Sequence, residues 1–191
     1  MATAQSLATT ETINGKRYYN LGEGKKYPSV TTILGAMTDK SGIDKWRKRV
    51  GDEEADRISK FSANRGTVMH QFCEYFLGSE KETVRERLID AQTLIGPFVK
   101  ENGFTEAETD IGRKLFFNFY NNGCFDRIAK VVSIEDTLHS PQMGGYAGRV
   151  DIIYENKKAH LVVLDFKSSK KAKREDWIEN YKMQIAAYSL A

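Results

Sequence analysis

Apolar side chains recur at helical spacing between residues 42 and 77, which predicts a largely helical segment. The acidic residues 52–54 predict a second helix start inside it, because negative charges in a first turn interact favourably with the helix dipole. The run Asn-Arg-Gly-Thr at 64–67 predicts an interruption before the helical pattern resumes. The same spacing predicts two further helices over residues 80–102 and 105–121.

Two local signals precede these helices. The dipeptide Asn14-Gly15, beside aromatic residues, predicts a β-hairpin. Ser29 predicts the N-cap of a short helix, because its hydroxyl can accept a hydrogen bond from an amide of the first turn. Residues 1–12 are small and polar without periodicity, so we expect a flexible tail there.

The pattern changes after residue 125. Three short runs rich in β-branched residues predict strands at 131–138, 148–154 and 161–167. Helical spacing returns over residues 176–190. The apolar face of this closing helix is expected to hold Trp177, Tyr181, Ile185 and Tyr188.

This order of elements predicts one domain of the α/β class, more narrowly α+β, with a small central mixed β-sheet flanked by helices. The chain has 191 residues, a length that suits a single domain. We expect that domain to span residues 13–191. Its mainly helical part is expected at 13–125, and the sheet and closing helix, which would carry the active site, at 126–191.

Composition narrows the class of protein. Lys and Arg number 29 against 26 Asp and Glu, and the formal net charge of +3 is compatible with a nucleic-acid partner without proving one. The two cysteines, Cys73 and Cys124, are too far apart for a zinc ribbon or a four-thiolate iron–sulfur site. No apolar run approaches the roughly 18 residues that cross a bilayer. We therefore expect an intracellular, cytoplasmic protein with no membrane partner.

Acidic residues stand in or beside the predicted strands, where an unpaired buried charge is costly. Asp165 and Lys167 share one face of their strand because side chains alternate along it. Whether Asp151 shares that face depends on register, since a two-residue turn at 157–158 would pair Asp151 with Leu164 and leave Asp165 on the opposite face. A shared site therefore predicts an odd loop length or a bulge near one carboxylate.

If Asp151, Asp165 and Lys167 converge, the two carboxylates suit Mg²⁺ or Mn²⁺, and the lysine would orient a water or stabilise charge on a phosphate. His70, at the border of the apolar stripe of its helix, is a further candidate ligand that would shift the preference toward Mn²⁺. Two simpler interpretations stay open. Asp165 and Lys167 can form a surface ion pair, and His70 can be a partly buried residue paired with Glu74.

Basic residues follow the proposed site. Lys170, Lys171 and Lys173 lie in a run without acidic residues, which favours contact with a phosphate backbone over a merely solvated loop. Arg65 and Arg149 are further candidates for phosphate contacts, and each has the alternative role of bracing a helix end.

Five groups of residues, taken in order, resemble motifs of the PD-(D/E)xK nuclease superfamily. They are Arg65-Gly66-Thr67 with His70 and Glu74, then Glu135, then Gly145 to Asp151, then Asp165 to Ser169, and finally Gln184 to Tyr188. Within the superfamily the chain is similar to the RecB-like branch, and most closely to the mitochondrial genome maintenance exonuclease group and its bacterial and phage relatives. Asp165 stands where the wider superfamily commonly has Glu, and the four-cysteine cluster of some RecB-like members is absent from the sequence.

The resemblance implies a restriction-endonuclease-like core under a helical N-terminal arch. It also implies that His70, Asp151 and Asp165, with the backbone carbonyl of Phe166, hold one or two Mg²⁺ or Mn²⁺ ions. Lys167 would be the catalytic lysine beside these ligands.

The same resemblance implies that Gln184 and Tyr188, one turn apart on the closing helix, bind the substrate and position the scissile strand. Glu74 and Glu135 are further candidate site residues, with roles that vary among relatives.

We therefore expect a metal-dependent DNA exonuclease that hydrolyses phosphodiester bonds of single-stranded DNA or free DNA ends in replication, repair or recombination. Its expected partners are DNA and other replication or recombination proteins, in the host cytoplasm if a phage encodes it. Two alternatives stay open: a structure- or sequence-specific endonuclease on the same fold, and a non-catalytic DNA-binding accessory module.

Overall fold

A computed structural model of the chain describes residues 8–22, 24–169 and 173–191. The described strands form two three-stranded sheets, and the mixed α/β arrangement is consistent with the expected restriction-endonuclease-like fold. The strands are β1 (Thr9–Ile13), β2 (Lys16–Asn20), β3 (Lys26–Pro28), β4 (Ile128–Ser140), β5 (Tyr146–Asn156) and β6 (Leu161–Leu164). The helices are α1 (Val30–Met37), α2 (Ser41–Val50), α3 (Asp52–Gly78), α4 (Val84–Glu101), α5 (Glu106–Asn121) and α6 (Glu179–Ser189). None of the described helices is both long and apolar enough to cross a membrane.

The N-terminal sheet contains the predicted hairpin. Asn14 and Gly15 both have positive φ, as a two-residue type I′ turn requires, and they join β1 to β2. The expected tail over residues 1–12 is wrong at its end, because Thr9–Thr12 pair with β2. The threonines there are β-branched, which favours a strand in spite of their polarity. Residues 1–7 lie outside the described part of the chain.

Side chains cap three of the described helix starts, the first as predicted. The Ser29 hydroxyl accepts a hydrogen bond from the Thr32 amide at 3.0 Å and caps α1. Thr105 and Glu108 form a reciprocal capping box at the start of α5. The helix predicted from residue 80 begins later, at Val84, where Thr83 forms a second capping box with Glu86.

The predicted interruption at 64–67 is wrong, because α3 continues through it for 27 residues. One glycine inside a helix costs about 1 kcal/mol relative to alanine. Burial of a large apolar side chain contributes about 1.5–3 kcal/mol, and α3 buries several just beyond this point, Val68 and Met69 among them. Packing against neighbouring helices therefore outweighs the local turn signal.

An aromatic core fills the space between α3 and α5. Phe116 is 1% exposed, and its ring centroid lies 5.4 Å from that of Phe72 and 5.6 Å from that of Phe76. Gly112 of α5 lets the two helices approach closely, because a Cβ there would lie 2.6 Å from Cβ of Val68. This core also contacts β5 and Phe166, so it packs against one face of the second sheet.

The second sheet has the order β4-β5-β6, and all of its described pairings are antiparallel. A mixed sheet, with both parallel and antiparallel pairing, was expected. Among the described residues, parallel pairing with this sheet occurs at an isolated bridge between Ser29 and Ala147. This bridge joins the start of α1 to β5. It thereby ties the N-terminal sheet to the sheet that carries the predicted acidic residues.

The loop between β5 and β6 confirms the prediction of an odd length. The Asn156 amide donates to the His160 carbonyl at 2.9 Å, which leaves residues 157–159 as a three-residue loop. Ala159 has φ of 60°, as a three-residue hairpin turn with a left-handed last position requires. Ile152 consequently pairs with Leu164.

The closing helix begins later than predicted. Residues 175–177 form a single 3-10 turn, and α6 starts at Glu179. Trp177 was expected on the apolar face, but it lies before α6 and is 62% exposed. Tyr188, three turns further on, is buried as predicted.

Candidate active site

The carboxylates of Asp151 and Asp165 share one face of the second sheet. Because Ile152 pairs with Leu164, the preceding Asp151 lies opposite Asp165, which directly follows β6. The three-residue loop therefore produces the arrangement on which a common site depends. An even loop would have placed these two carboxylates on opposite faces.

Asp151 connects the sheet to helix α3. Its Oδ2 accepts a hydrogen bond from the Phe166 amide at 2.5 Å and lies 3.3 Å from Nδ1 of His70. The interpretation that His70 pairs with Glu74 is therefore wrong, since Glu74 accepts from the Gln71 side chain at 2.8 Å instead. His70 lies on α3, so the mainly helical part of the chain also contributes to the site.

Asp165 is the most deeply buried of these acids, with its side chain 6% exposed. Its Oδ2 contacts the ammonium of Lys167, and its Oδ1 accepts from Nε2 of Gln184 at 3.2 Å. Burial, and then the negative charge of Asp151, raise the pKa of Asp165. The ion pair with Lys167 exists, but it lies at a buried carboxylate rather than on an open surface.

Glu135, a further candidate from the sequence, lies beside Asp151 in the structure. Its neighbours in β4 pair with residues 152 and 150, so Glu135 lies across from Asp151. Its φ is +52°, a left-handed conformation that costs energy for a residue with a Cβ and is found often at functional sites. One ligand atom each of Glu135, His70 and Asp151 lies within 4.8 Å of the others.

The electrostatics of this group favour a bound cation. Burial, and then the charges of Asp151 and Glu74, raise the pKa of Glu135 to about 7. Burial opposes the charged form of His70, but its hydrogen bond to Asp151 and the charges of Asp151 and Asp165 outweigh this and raise its pKa. The two carboxylates are ligands that suit Mg²⁺. The added imidazole makes the group suitable for Mn²⁺ as well.

Gln184 of α6 contacts Asp165, and Tyr188 lies one turn further along the same helix. Gln184 Nε2 donates to the hydroxyl of Tyr188 at 2.9 Å, and both side chains are buried. Burial raises the pKa of Tyr188 to about 12. Gly148 of β5 leaves room for this ring, because a Cβ there would lie 2.4 Å from Cε1 of Tyr188.

The predicted arginines and lysines of the phosphate-binding set lie beside the group of His70, Glu135 and Asp151 or away from it. Arg149 is half exposed, with Nη1 3.8 Å from Oε2 of Glu135. Arg65 lies on α3, where its Nε is buried and makes no hydrogen bond to the described residues. Lys173 donates to the hydroxyl of Tyr181, and its Nζ lies 4.7 Å from the centre of that ring.

Three further assignments have different outcomes. Lys170 and Lys171 lie outside the described residues. Glu74 lies near the group, since its charge contributes to the raised pKa of Glu135, but it is not among the three grouped residues. Phe166 holds Asp151 through its amide, while its side chain is buried in the aromatic core.

Two cavities open on this site. A cavity of about 400 Å³ reaches Asp151 and Asp165, and a second of about 550 Å³ reaches His70. Arg17, Glu135 and Lys167 line both. Sequence reasoning missed Arg17 because its hairpin carries no motif, and only the packing of β2 beside β5 brings it to the site.

The model of the PD-(D/E)XK nuclease superfamily matches residues 17–191. This range includes every element that contributes to the two cavities except β1. No curated protein and no solved structure matches the chain significantly.

Proposed function

Because the chain belongs to the PD-(D/E)XK nuclease superfamily and is thus a metal-dependent nuclease, we propose more narrowly that it is a DNA exonuclease of the RecB-like branch. Within that branch we propose an affinity with the mitochondrial genome maintenance exonucleases and their bacterial and phage relatives. The substrate is single-stranded DNA or a free DNA end, in replication, repair or recombination. The motif order from Arg65 to Tyr188 supports the branch.

One observation carries the proposal: an amine and three carboxylates converge on the second sheet, where Asp165 follows the end of β6 and Asp151 and Glu135 lie within β5 and β4. Lys167 contacts Asp165, and Asp165 lies opposite Asp151. Glu135 and His70 complete a group whose ligand atoms lie within 4.8 Å of Asp151. A protein that only binds DNA gains nothing from three acidic groups, which repel phosphate, in the cavity that would receive the strand.

We assign metal binding to Asp151, Glu135 and His70, with Asp165 and the carbonyl of Phe166 as further ligands. A bound Mg²⁺ or Mn²⁺ would lower the pKa of a water and offset the negative charge of a phosphate. The amide of Phe166 and the group of Gln184 and Tyr188 fix the orientation of the carboxylates.

Lys167 is the proposed catalytic residue. Its side chain is 34% exposed and lines both cavities, and its ammonium contacts Asp165, so it can reach a phosphate that lies over the carboxylates. There it orients the attacking water and stabilises the charge that builds on the phosphoryl oxygens during in-line attack. Gln184 and Tyr188 position the scissile strand, and Arg149 supplies a phosphate contact at the cavity wall.

Digestion of four substrates tests this proposal. Wild-type protein is incubated with linear single-stranded DNA, linear duplex DNA, circular single-stranded DNA and a linear RNA, each with Mg²⁺, with Mn²⁺ or with EDTA. We expect metal-dependent release of nucleotides from linear DNA and an intact circle. Cleavage of the circle would instead identify an endonuclease, and no cleavage of any substrate would favour the accessory DNA-binding module.

A further inference from the structure

The N-terminal sheet forms the wall of the smaller cavity that faces the carboxylates. Thr10 and Tyr19 pair across β1 and β2, and both line this cavity. Arg17 lies two residues before Tyr19 in β2, so it is on the same face of the sheet. It lines this cavity and also the larger one beside His70.

The backbone of Arg17 is fixed relative to the site. Its amide donates to the Thr32 hydroxyl at 3.0 Å, and its carbonyl accepts from the Ser29 amide at 2.9 Å. Ser29 in turn bridges to Ala147 of β5, four residues before Asp151. Strand β2 is therefore held in place beside β5, the strand that carries Asp151.

Among the residues that the structure describes, the side chain of Arg17 has no acidic partner. It is exposed, and none of the ion pairs among the described residues involves it. The other two cations that line the smaller cavity lie beside carboxylates, Lys167 at Asp165 and Arg149 at Glu135. Arg17 thus differs from the other two cations of this cavity, because no carboxylate of the described residues pairs with it and its whole charge can act on an anion.

We infer that Arg17 binds an internal backbone phosphate of the substrate strand where the strand passes from one cavity to the other. A guanidinium suits this role because it donates two parallel hydrogen bonds to phosphate oxygens. Since Arg17 lines both cavities, the strand continues past it, and the phosphate it holds is not a terminal one. The inference rests on the proposed function, because it takes a nucleic-acid strand as the occupant of the cavities.

Binding without cleavage tests the inference. Fluorescence anisotropy with a 3′-labelled 20-nucleotide oligo(dT), in EDTA, gives the affinity of wild type, Arg17→Ala and Arg17→Lys over a range of salt concentrations. Lys16→Ala is the matched control, because it removes the same charge from the neighbouring residue on the opposite face of β2. The melting temperature of each variant establishes that it is folded.

For Arg17→Ala we expect affinity to fall about ten-fold, as the loss of a charged hydrogen bond predicts. The slope of log K against log salt should flatten by about 0.7, the share of one phosphate contact on a single strand. Arg17→Lys should restore the slope but only part of the affinity, because lysine keeps the charge and cannot donate the two parallel hydrogen bonds of a guanidinium. Lys16→Ala should leave both quantities unchanged, and the loss in Arg17→Ala should be equal for 5′-phosphorylated and 5′-hydroxyl oligonucleotides.

Three results would overturn the inference: an unchanged slope in Arg17→Ala, an equal loss in Lys16→Ala, or a loss confined to the 5′-phosphorylated oligonucleotide. Failure of the proposed function is recognised separately. Absence of metal-dependent cleavage by the wild type contradicts the nuclease, whatever the binding assay shows. A normal nuclease whose Arg17→Ala variant binds as tightly as wild type contradicts the role of Arg17 alone.

Discussion

Phe116, between α3 and α5, is surrounded by aromatic rings, whereas Asp151, on the central strand of the second sheet, is surrounded by acidic, basic and hydrogen-bonding groups. The ring of Phe116 has five aromatic neighbours with centroids between 5.2 and 6.4 Å away. Asp151 instead lies opposite one acid and beside another, with His70 at 3.3 Å. The first arrangement lowers the free energy of the folded chain, and the second raises it.

The difference assigns separate tasks to the two regions. The aromatic core supplies the stability with which the fold holds Glu135 in a left-handed backbone and Asp165 in a buried position. Phe166 belongs to both regions, since its ring lies in the core and its amide binds Asp151. Changes in the core should therefore alter the free energy of unfolding, and changes at the site should alter the cleavage rate.

The largest effect is expected at Lys167. Lys167→Ala should lower the single-turnover cleavage rate by about 10²–10⁴-fold, the range for loss of a group that handles protons or charge in the transition state. Cleavage of an end-labelled oligonucleotide in Mg²⁺ measures this. Lys158→Ala, in the loop at the opposite end of β5, is the charge-matched control and should cleave at the wild-type rate. A Lys167→Ala variant within three-fold of wild type would contradict the assignment.

The core should respond in the opposite way. Phe116→Ala should lower the free energy of unfolding by about 3–5 kcal/mol, because it removes a fully buried ring and leaves a cavity. Urea denaturation followed by circular dichroism measures the loss. Phe117→Ala, the neighbouring half-buried ring, should cost clearly less, and the folded fraction of both variants should keep the wild-type cleavage rate. Equal losses at the two positions would show that Phe116 has no special place in the core.

The same glycine-to-alanine substitution can be made in both regions, at Gly112 beside the aromatic core and at Gly148 beside the candidate site. A Cβ at Gly112 would lie 2.6 Å from Val68 and one at Gly148 2.4 Å from Tyr188, so each alanine forces its neighbours apart. Gly112→Ala should cost about 1–3 kcal/mol of stability through overpacking, with little change in rate. Gly148→Ala should displace Tyr188 from Gln184 and lower the rate beyond what its stability loss explains.

The control for this pair is Gly96→Ala in α4, where a Cβ would have no neighbour within 4 Å. Its stability should be unchanged or higher by up to about 1 kcal/mol, since alanine favours a helix more than glycine does. Denaturation and single-turnover rates are measured on all three variants. If Gly148→Ala changed only stability, the positioning role of Tyr188 would be excluded.

The smallest effect is a pH dependence of stability at Glu135. Its pKa is raised from an ordinary 4.5 to about 7 in the folded, metal-free protein, so its stabilising contribution is complete below pH 4.5 and is lost as the pH rises through 7. Glu135→Gln cannot ionise. Its melting temperature in EDTA should exceed that of wild type at pH 8, by an amount that shrinks toward pH 5. Glu101→Gln, at the exposed end of α4, should show no such trend. If the melting temperatures of both variants changed with pH in the same way, the pH dependence could not be assigned to Glu135.

The sequence predicted the elements whose signals are local. The Asn14-Gly15 turn, the Ser29 cap and the acidic start of α3 at Asp52 depend on neighbouring residues, and all three are confirmed. The predicted break at 64–67 is wrong because its outcome depends on packing against α5, which no local pattern reveals. The exposed position of Trp177 was missed for the same kind of reason, since the first turn of the closing helix is a separate 3-10 turn.

The sequence predicted which residues belong to the candidate site, but only part of how they are arranged. The sequence contained Asp151, Asp165, Lys167 and His70 in order, while their meeting depended on the register of β5 and β6. Glu135 received low weight because its place across from Asp151 depends on the register of β4 against β5, which follows from a long-range pairing that no local pattern reveals. The roles of these residues stay predictions that the variants above test.

The three-residue loop at 157–159 has a consequence for protein engineering. An insertion or deletion of a single residue there would rotate every later side chain of β6 to the other side of the sheet and carry Asp165 away from Asp151. Adding two residues preserves the facing of that strand. Libraries that vary the length of this loop should therefore recover cleavage with loops of three and five residues and lose it with loops of two and four. A segment that lines neither cavity thus decides whether the two carboxylates share a face of the sheet.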